Sequence, residues 1–218
     1  MKIIRKNIVD NGKRVHICLC GIKIYSRNNK DNANINGTGN VVQIPKNSKI
    51  SVHIYGNNNK VIIENSCYVP SFTIYIGTSD GVQTDNCTVH IGKNFSAAGG
   101  FIRICEDNTV CEIGEDCMFS SNISMWCSDT HTITYDGKCA NVGKFITLGK
   151  HVWVGYGVTM LKNTIVSDNS IIGAGAVVGG KFNERGVIIA GNPAKVVKSG
   201  INWDRRRPKQ YIEEEKNK

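Results

Sequence analysis

Leucine is nearly absent: the 218 residues contain it only at Leu19, Leu148 and Leu161, while Ile, Val, Asn and Gly are abundant. That balance disfavours a helical protein and favours short strands joined by turns. Also missing is any apolar run long enough to span a bilayer, and Met1-Lys2-Ile3-Ile4-Arg5-Lys6 has no apolar stretch of signal-peptide length. A cytoplasmic protein without stable membrane insertion is expected. The nine cysteines contain no CxxC pair, the tightest spacing being Cys18-x-Cys20, so neither a disulfide framework nor a cysteine zinc site is indicated. Free thiols buried in a reducing compartment, as at Cys117, are expected instead. His16, His53 and His90 show no metal-ligand spacing, and no metal is expected. Positive charge is plentiful, at net +9 and a pI of about 9.1, but it is scattered rather than striped except at Arg205-Arg206-Arg207. No nucleic-acid partner is expected; a basic groove for a phosphorylated small molecule is the simpler reading.

What the chain has in place of helices is a repeat. Every sixth residue from Leu148 is aliphatic or Met: Leu148, Val154, Met160, Val166, Ile172, Val178. At ~45–50% apolar usage, six consecutive hits arise by chance about once in a hundred. Glycine often follows, at Gly149, Gly155, Gly173 and Gly179, and a second column four residues on is small or β-branched: Val152, Val158, Thr164, Ser170, Ala176, with Phe182 the first departure. A period of six is neither the 3.6 of a helix nor simple alternation. It suits short strands joined by tight corners, each unit burying one large and one small side chain, and such units must stack into a solenoid.

These [aliphatic]-Gly-x-x-[small]-x hexapeptides, followed by Ala190-Gly191-Asn192-Pro193-Ala194-Lys195, resemble the hexapeptide-repeat acyltransferases. The resemblance is good over roughly residues 88 to 203 and loose before that. It implies an all-β fold, a left-handed parallel β-helix with three hexapeptides per triangular coil, and a homotrimer with active sites between neighbouring prisms. The handedness comes from the resemblance alone, since general rules favour right-handed parallel crossovers.

In chain order, residues 1–30 are expected to form capping strands, 31–200 the β-helix domain, and 201–218 a helix or tail. The early coils are expected to vary in length, with Asn and Gly at the corners and Ile44, Ile50, Ile54, Ile62, Ile74 and Ile76 inside. The sixfold register breaks between Trp126 and Phe145, so an excursion loop spanning 126–145 must leave the prism, and a loop of that length usually carries function. Trp203 is expected to pack against the last coil.

His131 lies in this loop. On the residues alone, an exposed histidine hydrogen-bonded to its neighbours is an equal account. Ser128-Asp129-x-His131, followed by Asp136, resembles the active-site loop of capsule and sugar O-acetyltransferases, which makes His131 the candidate general base. An ordinary pKa near 6.5 suits it to take a hydroxyl proton. Asp129 and Asp136 either orient the imidazole or cap local turns. Trp153, in His151-Val152-Trp153-Val154-Gly155, should point outward, and the resemblance places it near the thioester as an oxyanion donor or a channel wall. His151 is the rival base, with no acidic partner evident in sequence.

For the cosubstrate acetyl-CoA, which the resemblance implies, the small-residue track of Gly155, Gly173, Ala174, Gly175 and Ala176 would seat the pantetheine arm. Lys195 matches a position that in the resembled family meets the coenzyme A phosphates, and Lys162, an exposed charge interrupting the glycine column, is a second cosubstrate-binding candidate, with Lys198 and Arg205 to Arg207 as further ones. The expected function is acetyl-CoA-dependent O-acetylation of a sugar or surface polysaccharide. The alternatives are N-acetylation of a nucleotide-linked amino sugar and a non-catalytic carbohydrate-binding solenoid.

Overall fold

The computed structural model describes residues 6–10, 13–17, 33–45, 48–65 and 68–217. From residue 33 the chain winds as a left-handed parallel β-helix with three faces. The first face is a seven-stranded sheet running from Ala33–Asn36 through Ile50–Tyr55, Phe72–Ile76, Gly100–Ile104, Ile123–Trp126 and Thr159–Leu161 to Val177–Val178. The second, also of seven strands, runs from Val41–Gln43 through Phe145–Leu148 to Lys181–Phe182. The third, of six strands, starts at Ser96–Ala97, includes Trp153–Val154, and ends with Ile188–Gly191 and Ala194–Lys198.

Strict hexapeptides give strict coils. Ile146 pairs with Thr164, Trp153 with Ile171 and Thr159 with Val177, each eighteen positions apart, so three hexapeptides close one turn of the prism. The sixfold column is the interior: Leu148, Val154, Met160, Val166, Ile172 and Val178 are at most 1% exposed. The glycines after it have a packing cause. Coils stack so closely at the corners that a Cβ on Gly155 would lie 2.7 Å from the Ala174 nitrogen, and one on Gly149 would lie 2.7 Å from that of Asp168.

The early coils are longer. Ile50 pairs with Phe72, and Phe72 with Gly100, and the wider interior is filled by Phe72, Phe95 and Phe119 packed edge to face at centroid separations of 5.0–6.3 Å. Ile50, Ile54, Ile74 and Ile76 are buried and Ile44 packs against the core. Ile62 departs from expectation: strand Lys60–Ile63 alternates so that Val61 and Ile63 point inward, which turns Ile62 out. Near the start of the chain, Lys6–Asp10 and Lys13–Ile17 form an antiparallel hairpin. The remainder of the expected capping region, with Cys18 and Cys20, lies outside the described residues.

After Val178 the pairing of Ile171 with Ile188 is one residue short of eighteen, and Ala194–Lys198 folds back antiparallel on Ile188–Gly191. Pro208 opens a wholly exposed helix, Pro208–Lys216, where its missing N–H costs nothing. Burial pushes the Cys87 thiol up to about 11 and the Cys117 thiol to about 12, so these free cysteines are inert filling.

Two outcomes are expected of this frame. Phe95→Ala, which empties the centre of the aromatic cluster, should cost about 3–5 kcal/mol in denaturant unfolding. On the outer second face His90 sits between Glu112 at 2.5 Å and Glu64 at 3.2 Å, and the bond to Glu112 raises its pKa above the usual histidine value. A raised native pKa stabilises the fold below the unfolded value near 6.5, and that contribution is lost as pH rises through the native value. His90→Gln should therefore lower the melting temperature more at about pH 6 than at about pH 9; equal shifts would show that this group does not titrate between them.

Candidate active site

The interruption of the repeat is accommodated as one excursion at the corner between the first and second faces. Met118 pairs with Trp153 thirty-five positions on, where its successor coil needs eighteen, and the surplus leaves the prism after Trp126 and returns at Phe145. Four contacts staple the base of this loop. The buried Ser128 hydroxyl accepts from the Cys105 amide at 3.1 Å, and Glu106 accepts from the Gly143 amide at 2.6 Å. Asn163 accepts from the Lys144 amide at 3.1 Å, and Lys162 pairs with Asp129. The tip is a two-residue hairpin turn between Thr134–Tyr135 and Lys138–Cys139, made by Asp136 and Gly137 at φ 49° and 72°.

Asp136 thus has a local structural role at the turn. Asp129 faces Lys162 and Asn141, not the imidazole of His131; the Lys162 ammonium and then Asn141 hold its carboxyl below the usual carboxylate value. Asn141 is a residue that the sequence reading missed. Its amide donates to Asp129 Oδ2 and to the His131 carbonyl, both at 2.8 Å, and its oxygen accepts from the Ile133 amide at 2.8 Å. A lone loop asparagine gives no sequence signal, because its partners lie on the opposite arm of the excursion, eight to twelve residues earlier.

His131 itself is exposed, and among the described residues its imidazole makes no hydrogen bond. It lines a cleft of about 620 Å³ together with Thr130, Gly77 to Asp80, Val82 and the outward side chains His53, Tyr55, Tyr75 and Arg103 of the first face. His151 is differently placed. Contrary to the sequence reading it has an acidic partner, with Nδ1 2.6 Å from Asp116 Oδ2, and its Nε2 lies 3.0 Å from the Trp203 carbonyl. Both ring nitrogens are engaged, so neither is open to a substrate.

Trp153 points outward from the third face, 38% exposed, in a column with Met118 and Ile171. The loop corner lies opposite that face, and no ring contact or hydrogen bond joins Trp153 to His131 within the chain among the described residues. Trp203 packs, but not on the last coil: it stacks on His151 at 4.0 Å, donates its indole N–H to the His151 carbonyl at 2.8 Å, and lies 6.0 Å from Trp153. Arg205 continues this strap, binding Asp116 at 2.8 Å, Ser96 at 2.7 Å and the carbonyls of Asn94, Asp116 and Cys117. Arg206 pairs with Asp204 and Glu214.

The expected cosubstrate residues divide. Gly155 and Gly173 stack in successive coils at the corner between the third and first faces, with exposed Ala174 beside them, and Gly173 stacks in turn on Ala190. Lys195, exposed, is paired opposite Ala190 and so reaches the same edge. A Cβ at Gly157 or Gly175 would meet nothing within 4 Å, which leaves an open small-residue track. The Ala176 side chain is buried in the core, and Lys162 lies at the loop corner, away from this track.

No family model matches the chain. A polysialic acid O-acetyltransferase of Neisseria meningitidis is 31% identical over 191 residues, covering 79% of this chain and 87% of that protein. The crystal structure of the polySia-specific acetyltransferase NeuO aligns with a TM-score of 0.67 at 30% identity, over 84% of this chain and 85% of that one. The polysialic acid O-acetyltransferase OatWY aligns at 0.56 with 26% identity, over 85% and 98%. With its eighteen-residue coils, its loop histidine and its outward tryptophan, the chain belongs to the hexapeptide-repeat O-acetyltransferases.

Proposed function

We propose that the protein transfers the acetyl group of acetyl-CoA to a hydroxyl of a sugar or surface polysaccharide, with His131 as the general base. The observation that carries this is the contrast between two histidines: His131 faces a cleft large enough for a sugar with its imidazole unengaged, while His151 is tied at both nitrogens. The relatives named above acetylate polysialic acid, a sugar polymer.

The chemistry needs few groups. An acceptor hydroxyl donates to the imidazole; as its oxygen attacks the thioester carbon, the proton passes to His131. The tetrahedral intermediate collapses, the C–S bond breaks, and the imidazolium returns the proton to the departing coenzyme A sulfur. No residue is acetylated in between. Asp129 acts at one remove, fixing the loop through Lys162 and Asn141.

The corner of Gly155, Gly173, Ala174 and Lys195 fits the other substrate. Beside the closely stacked Gly155 and Gly173, the backbone at Gly157 and Gly175 is open and admits a pantetheine arm close to the strand edges, and Lys195 supplies a cation for a phosphate. This corner and Trp153 are separated from the His131 loop within one chain, so a site using all of them draws on a second copy, in keeping with a homotrimer. The buried free thiols suit a reducing compartment such as the cytoplasm.

His131→Ala should lower kcat by about 10²–10⁴-fold while acetyl-CoA affinity, read by calorimetry, stays unchanged; an unchanged kcat would assign the base elsewhere. Lys195→Ala should weaken acetyl-CoA by roughly tenfold, about 1.4 kcal/mol, with little effect on kcat at saturation, and unaltered affinity would remove Lys195 from the site.

A further inference from the structure

We propose that the cleft beside His131 is an acceptor subsite for a sugar bearing a carboxylate, with Arg103 as the group that binds it. The proposal rests on the transferase reading above and adds a specificity determinant to it.

On the outer side of the first face, strand alternation puts Asn34, His53, Tyr75, Arg103 and Trp126 in one column, each paired in register with the next. The column is stacked. His53 lies on Tyr75 with ring centroids 5.1 Å apart and planes within 16°, the Arg103 guanidinium sits 4.7 Å over the Tyr75 ring, and Trp126 is 5.9 Å beyond it. Phe101 supports Trp126 edge-on at 5.2 Å, and Tyr55 is held by a 2.9 Å bond from Asn34.

A guanidinium held by its faces keeps its in-plane N–H groups available. Arg205 and Arg206 spend theirs on Asp116, Asp204 and Glu214. The half-buried Arg103 guanidinium makes no hydrogen bond and has no carboxylate within ion-pair distance among the described residues; Asp80, across the same cleft, feels its charge without pairing with it. The guanidinium is a positioned cation with its fork unfilled, and its stacking on Tyr75 has already ordered it, which reduces the ordering cost of binding. A carboxylate matches its fork with two parallel bonds.

The rest of the cleft suits a sugar. Tyr75, Tyr55 and His53 offer flat walls for a ring, and the exposed Asp80 carboxylate, itself bonded by Thr78, faces hydroxyls as an acceptor and repels a second negative group. An acidic sugar is thereby oriented with its carboxylate on Arg103. Since Thr130 and His131 form the adjoining wall, its hydroxyls are presented to the base.

The test is calorimetric titration with short oligomers of sialic acid and of a uronic acid, each beside its carboxyl-reduced counterpart. The wild-type protein should bind at least one acidic oligomer about tenfold or more tighter than the reduced form. Arg103→Ala should erase that preference without changing affinity for the reduced form, and Arg103→Lys should keep part of it; acetyl-CoA binding by each variant reports its folding. In turnover, Arg103→Ala should raise KM for the acidic acceptor far more than it lowers kcat. Equal binding of acidic and reduced oligomers by the wild-type protein, or a parallel loss of both in Arg103→Ala, overturns the proposal. If acetyl transfer is found only to neutral sugars, the carboxylate subsite falls and the transferase stands. If acetyl-CoA does not bind and no sugar is acetylated, the transferase reading falls and the subsite with it.

Discussion

Each coil must hydrogen-bond to the coil before it in a fixed register, and almost every other feature follows from that. A slip of one residue would exchange the inward and outward faces of a strand, so the buried column from Leu148 to Val178 locks the pairing along the regular half. Close stacking at the corners then calls for glycine where coils nearly touch, as at Gly155, and for residues tolerant of positive φ, such as Asn163 and Asn169, where the chain turns. The loop is a product of the same rule. Chain that cannot be placed in the eighteen-residue coil is expelled at a corner, and the pairing of Met118 with Trp153 closes beneath it.

Register also distributes the chemistry. Outward positions of stacked strands form columns, which is how Tyr75 and Arg103, distant in sequence, come to lie face to face. The corner between the first and second faces carries the loop and the cleft. The corner between the third and first carries the small-residue track with Lys195, and the third face carries Trp153 under the strap of Trp203 and Arg205. The strap engages His151 at Nε2 while Asp116 holds Nδ1, and it buries Trp203, so a stretch of tail that looks merely polar becomes part of the prism wall.

The repeat was legible because each hexapeptide satisfies its own local requirements of one large, one small and one turning residue. Where coils lengthen, that local signal weakens: Ile62 reads as interior until the alternation of its strand places Val61 and Ile63 inside. At the site, the residue types were legible and their partners were not. Asp129 beside His131 in sequence looks like an orienting carboxylate, yet it faces Lys162 from the following coil and Asn141 from the returning arm of the loop. His151 looks unpartnered until Asp116, one coil earlier, is stacked against it.

The sequence by itself determined the solenoid, its hexapeptide period, the position of the excursion and the presence of a histidine in it, because these depend on the spacing of side chains along a few residues. Tertiary structure alone decided which histidine is free, which lysine lies on the open track, and that Arg103 stands stacked and unpaired beside the cleft. Tyr75 and Arg103 are twenty-eight residues apart in the chain, Asp116 and His151 thirty-five, and His151 and Trp203 fifty-two, and only the stacking of coils and the return of the tail bring them within contact distance.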